Sequence, residues 1–224
     1  MKLLTGVLAV AVLALPAMAQ KNVNARLKAA TEDLHEMMNA SDKGIPQDLI
    51  AKASCVIVVP NLKAGGFIVG AEYGKGFFSC RKPGGVGWSA PGAIRMSGGK
   101  FGLLIGGKET DVIMLVMNKN GMEHLLSDKF QIGGEVSGAA GPVGRSSTAM
   151  TDAEMRAEIL SYSRSRGIFG GLDISGSAVT EDDDSNRELY GSKISNKEIL
   201  STNPKVPAEA QPFIHELDRI SSRK

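Results

Sequence analysis

Fourteen glycines fall between Gly65 and Gly107, and that concentration constrains the chain more than any other feature. Glycine at such density, without a collagen period, points to tight turns, bulges and strands bent into strong curvature. Proteins average ~7% glycine, so the 27 glycines among 224 residues are an excess, gathered largely in one region. The flanking residues agree with this. Residues 55–59 are a continuous apolar, β-branched run stopped by Pro60. Residues 67–81 alternate, with Phe67, Val69, Ala71, Tyr73 and Phe77 assigned to one face and Gly70, Glu72, Gly74 and Gly76 largely to the other. Segments 101–105, 111–118, 130–136, 159–166 and 168–174 continue the series. These candidate strands, separated by Gly, Asn and Pro signals, predict a strongly curved antiparallel β-sheet or partial barrel.

Helical patterns bracket that unit, so the expected class is α+β. Val23, Leu27, Ala30, Leu34 and Met37 recur at helical spacing among Lys28, Glu32, Asp33 and Glu36. A second helix is expected to start at Pro46, and a short one over 121–127. After the acidic run 181–184, segments 186–190, 196–200 and 208–220 read as helices. No fixed-period repeat and no low-complexity linker divides the chain. One domain over 20–224 is expected, with N-terminal helices in 22–53, the β unit in 54–176 and C-terminal helices in 182–221. Residues 1–19 read as a cleavable leader: Lys2, an apolar run, then Ala17-Met18-Ala19. Export to the periplasm or beyond the cell follows. With 26 basic and 24 acidic residues, the chain lacks the dense positive patch of a nucleic-acid binder. Beyond the leader, the longest strongly apolar stretch, 112–117, is too short for a membrane helix.

The motifs that would carry catalysis do not assemble. His35, His124 and His215 are far apart, each in a predicted helix, and no His-Glu-x-x-His occurs. Gly87-Trp88-Ser89-Ala90-Pro91-Gly92 has one residue too many for a nucleophile elbow. Gly102 to Lys108 nearly spells a phosphate loop, but Glu109 follows where a hydroxyl belongs, and 111–117 reads as a strand; two strands joined at a turn are expected. Asp182-Asp183-Asp184 resembles the start of a calcium loop, with Arg187 in place of the turn glycine, so a solvated helix-capping turn is favoured. No enzyme activity, metal or cofactor is expected. Cys55 and Cys80 either close a disulfide, which an oxidising compartment permits, or sit as small buried residues on strands. On the 159–166 strand, Tyr162, Arg164 and Arg166 share a face. They form either a cradle for an anionic group or an outward face paired with acids such as Glu158 or Asp173.

The run Gly65-Gly66-Phe67-Ile68-Val69-Gly70-Ala71-Glu72-Tyr73-Gly74-Lys75-Gly76, with Arg81 and Trp88-Ser89-Ala90-Pro91, resembles the first half of the SYLF domain family. Gly133-Gly134-Glu135, Ala140-Gly141-Pro142-Val143-Gly144-Arg145, the stretch from Tyr162 to Gly171, Asn186 and Tyr190-Gly191 resemble its second half. The resemblance implies a lipid-binding module whose eukaryotic members bind phosphoinositide membranes, with an amphipathic N-terminal helix implicated; some of these bind or bundle actin. It places Val23, Leu27, Leu34 and Met37 on a candidate membrane-insertion helix. Arg81, Arg145, Arg164 and Arg166 become candidates for an anionic headgroup, with Lys63, Lys75 and Lys82 as helpers. Trp88 and Pro91 are assigned a structural corner. In a bacterial envelope the expected partner is an anionic lipid or membrane surface, or alternatively another envelope protein, and actin is not expected.

Overall fold

The computed structural model describes residues 15–40, 44–144, 150–165 and 168–221. Its centre is a long two-stranded ribbon, β1 (Cys55–Cys80) and β2 (Gly92–Val116), joined by the turn over 81–91 and paired antiparallel from Cys55↔Val116 to Phe78↔Gly92. Around it stand β3 (Lys129–Gln131), β4 (Gly138–Ala140), β5 (Ile159–Ser165), β6 (Ile168–Gly171) and β7 (Ala178–Glu181). One end of β2 pairs with β5 and the other with β7; β3 extends β7, β6 pairs antiparallel with β5, and β4 pairs with β5 in parallel. The result is one curled, half-barrel sheet. The helices are α1 (Leu15–Asn39), α2 (Gln47–Lys52), α3 (Lys119–His124), α4 (Asp152–Arg156), α5 (Asp183–Tyr190), α6 (Asn196–Thr202) and α7 (Gln211–Ile220), the last preceded by a 3-10 turn at Ala208–Ala210. The α+β class with a strongly curved sheet, expected from glycine and patterning, is what the chain adopts. None of the described helices is long and apolar enough to cross a membrane.

The ribbon curls until the two ends of β1 meet, and a disulfide joins Cys55 to Cys80 there. Glycine makes the close approach possible. A Cβ on Gly76 would stand 2.1 Å from the Val58 carbonyl oxygen, and one on Gly74 would meet Val59 and Leu62 at under 3 Å, at 2.7 and 2.8 Å. The close approach also decides which of the two faces expected for 67–81 turns inward. Glu72, Gly74 and Gly76 point inward and Ala71 and Tyr73 outward, because the side bearing glycine is the one that can lie against the strand's own first half. Pro60 does not end the strand either. It falls in the register shift between Val59 and Leu62, where no ladder bond is required of it, and Asn61 takes a positive φ of 51° beside it. The near phosphate-loop over 102–108 is not a turn between two strands: it lies within β2.

The continuous apolar run at the start of β1 reflects burial on both faces. Val56 and Val58 join a cluster with Phe77, Ile113, Leu115 and Leu160 beneath α1, α2 and α7. Cys55, Ile57 and Val59 join a second cluster with Phe78, Met114, Phe130 and Val179 on the other side. The candidate insertion helix belongs to the first of these. Val23, Leu27, Leu34 and Met37 are each at most 1% exposed, with α1 packed on β1, α7 and α5. Burial contributes about 1.5–3 kcal/mol for each such side chain. Moving them into lipid would therefore exchange one apolar environment for another, with nothing gained to offset the exposed sheet.

Candidate functional site

Two of the cations named from sequence, Arg164 and Arg81, are committed to the fold. Arg164, in β5 opposite Asp111 of β2, clamps α1 to the sheet. Its Nη2 donates to Asp33 Oδ1 and to Asp111 Oδ2, each at 2.8 Å, and its Nη1 pairs with Glu36. Three carboxylates facing one guanidinium leave it no charge to offer a ligand. Asp33 records the imbalance: burial, then the Asp111 carboxylate, push its pKa up to about 7 in spite of Arg164, and its Oδ2 is buried without a hydrogen bond. The partners expected for this strand, Glu158 and Asp173, lie elsewhere; Glu158 accepts from Ser137 and Asn120. Arg81 is likewise structural. Its guanidinium stacks 4.1 Å over the ring of Trp88 and donates at 2.8 Å to the Ser221 carbonyl, while the buried Trp88 indole donates to Ser221 Oγ at 2.9 Å. Together they pin the end of α7 to the 81–91 turn. Arg145 and Arg166 lie outside the described residues.

The helper lysines fare differently. Lys63 and Lys75 meet in a pocket of about 460 Å³ between α1 and β1. Its walls, among the described residues, are Ala25, Arg26 and Ala29 from the helix and Pro60, Asn61, Lys63, Tyr73, Gly74 and Lys75 from the strand, three cations and no carboxylate. Lys75 is anchored from behind by Asp182, its Nζ 2.8 Å from Oδ2. Arg26 donates at 3.0 Å to Ser185 Oγ, whose hydroxyl donates at 2.6 Å to the same Asp182 oxygen. Burial opposes ionisation of Asp182, yet bonds from Lys75 and Ser185 and the charges of Lys75 and Arg95 hold its pKa below the usual carboxylate range. Burial lowers the Arg26 pKa against the pull of Asp182, Glu188 and Tyr73. Asp182 is fully buried, so the acidic run at 182–184 does not begin as the solvated turn expected from sequence. Lys63 extends into solvent, 3.7 Å from an exposed Glu109. Tyr73 is 50% exposed at the lip.

A larger open groove of about 1030 Å³ lies on the far side of Lys63, lined also by Lys108, Ser163, Arg164, Ser165 and the exposed Ile168. Glu109 and Asp111 stand in its wall and balance much of its charge. Lys82 sits apart from both, beside α6. No cluster of three or more His, Cys, Asp or Glu suited to a metal occurs among the described residues.

Sequence reasoning named neither Arg26 nor Tyr73 as a site residue. Arg26 lies on a helix whose neighbours across the pocket are more than thirty positions away, and nothing local marks it. For Tyr73 the alternation gives its face, but not that the face lies beside α1.

Residues 97–220 match the Ysc84 family, described as "Las17-binding protein actin regulator". The chain belongs to that family. This is the family met above as SYLF. Over 181 residues, 80% of this chain, it is 34% identical to "Protein YSC84" of Saccharomyces cerevisiae, of which it covers 38%. It is 33% identical to "LAS seventeen-binding protein 3" of the same yeast over 80% of this chain and 39% of that protein. The human "SH3 domain-containing YSC84-like protein 1" is 31% identical over 208 residues, 90% of this chain and 60% of that protein. The chain thus spans between about two fifths and three fifths of the length of these Ysc84-family relatives. The family's description as an actin regulator overturns the expectation that actin plays no part. That expectation rested on an assumed cellular address and on no residue.

Proposed function

We propose that the protein is a non-catalytic lipid-binding module, and that the pocket between α1 and β1 receives the headgroup of an anionic phospholipid. The observation that carries this reading is the composition of the pocket wall: Arg26, Lys63 and Lys75 with no acid among its described residues, and the Tyr73 ring half-exposed at the lip. Bonds through Ser185 and Asp182 fix two of the cations before any ligand arrives, so little side-chain entropy is lost on binding. A tyrosine at the edge suits the boundary between headgroups and acyl chains. Binding is peripheral and leaves α1 in the core. In this reading the protein acts after export, which the leader pattern and the Cys55–Cys80 disulfide support.

The test is co-sedimentation with vesicles of phosphatidylcholine alone or mixed with phosphatidylglycerol. Binding confined to the anionic vesicles and weakened by salt supports the reading. Equal pelleting with both, or with none, ends it.

A second reading is docking to an actin-type filament, favoured by the family description. Pelleting with filaments in the absence of lipid, unaffected by substitution of Lys63, would select it over the first.

A further inference from the structure

A third cavity has the opposite character. It lies between the 81–91 turn, α3 with the residues just after it, and α6, encloses about 450 Å³, and shares no lining residue with the headgroup pocket. Ligand pockets run to roughly 300–1,000 Å³, so this space is large enough for a small ligand. Its floor is apolar: Met122, Leu126 and Leu200 are each half-buried, and Met122 and Leu200 pack against the second core cluster. Its mouth is basic. Lys82 from the 81–91 turn and Lys197 from α6 line it and are exposed, and among the described residues no carboxylate lines the cavity and neither lysine makes an ion pair. Arg81 also borders it, but its guanidinium is spent on Trp88 and the Ser221 carbonyl. The mouth therefore offers two ammonium point charges and no planar fork of the kind that matches phosphate.

We propose that this cleft binds the single hydrocarbon chain of a long-chain carboxylate, its tail on Met122, Leu126 and Leu200 and its carboxylate between Lys82 and Lys197. The site is independent of the headgroup reading and stands or falls without it.

Fluorescence titration with cis-parinarate, followed by displacement with decanoate, measures it directly. The expected result is one saturable site from which decanoate displaces the probe, with decanol at least tenfold weaker for want of the charge. Octanoate should be roughly fifteenfold weaker, since each buried methylene accounts for about fourfold. Lys82→Glu with Lys197→Glu, both at exposed positions, should weaken decanoate at least tenfold. Ser201→Trp, at the exposed rim on α6, should block the cleft while leaving vesicle binding unchanged. Absence of a saturable site in the wild type, equal affinity for decanol, or undiminished binding in the charge-reversed or blocked variants would each overturn the assignment. Loss of vesicle binding alone would count against the headgroup pocket and leave this site standing.

Discussion

Replacing Asp33 by asparagine should stabilise the protein at pH 8. Asp33 is 3% exposed and faces Arg164 together with Asp111 and Glu36, so the site holds more negative than positive charge. Burial and the Asp111 charge raise its pKa from the ordinary 3.8 to about 7. The sign follows from linkage: between those values the folded chain keeps a proton that the unfolded chain has lost, so stability falls as pH rises from about 4 to 7 and levels off above. The displacement corresponds to about 4 kcal/mol, an upper limit because Asp111 and Glu36 can share the proton. Asparagine keeps an acceptor for the Arg164 bond and carries no charge. The variant should therefore match the wild type below about pH 4, pull ahead of it from there upward, exceed it by up to about 4 kcal/mol at pH 8, and show a flatter profile. Urea unfolding followed by the fluorescence of Trp88, the chain's single tryptophan and a buried one, reads both. A variant less stable than wild type at pH 8, or a difference between the two that does not grow with pH, would refute the reasoning.

Gly76→Ala should destabilise by about 3 kcal/mol or more, because its Cβ would meet the Val58 carbonyl oxygen and backbone there cannot yield; thermal unfolding measures it, and a loss under about 1 kcal/mol would contradict the close approach. Replacing Cys55 and Cys80 together by serine removes a cross-link closing a loop of 25 residues' separation and should cost about 3–4 kcal/mol in the chain-entropy model, read as a lower urea midpoint. Lys63→Glu reverses an exposed charge at the headgroup pocket and should weaken binding to anionic vesicles by roughly 2 kcal/mol, about thirtyfold at low salt. Its unfolding midpoint should stay unchanged, and vesicle affinity equal to wild type would exclude Lys63 from the site.

Much of the architecture was legible in the sequence because it rests on local signals. Helical spacing from Val23 to Met37 marks α1, Pro46 marks the start of α2 as its N-cap, and the glycine-rich stretch marks a sheet that must bend. The errors came where a distant partner overrides the local pattern. Segments 55–59 and 67–81 looked like separate strands because Pro60 and Asn61 usually end one; in the structure they lie at a bulge in a single strand. β4 and β7 are three and four residues long and exist through pairing with β5 and β2, so neither has a pattern long enough to see.

The candidate site divides the same way. Residue type and order determined the class of the fold, the amphipathic face of α1 and the supply of arginines and lysines, since periodicity and backbone preference act within a few residues of one another. Which cations gather at a pocket was decided only by tertiary structure. Arg164 and Arg81, two of the four arginine candidates by motif, are consumed by Asp33, Asp111 and Glu36 in one case and by Trp88 and Ser221 in the other. Lys63 and Lys75 join an unforeseen Arg26 because the ribbon curls back beneath α1. Charge neutralisation depends on separations of a few ångströms between residues far apart in the chain, and those separations exist only once it has folded.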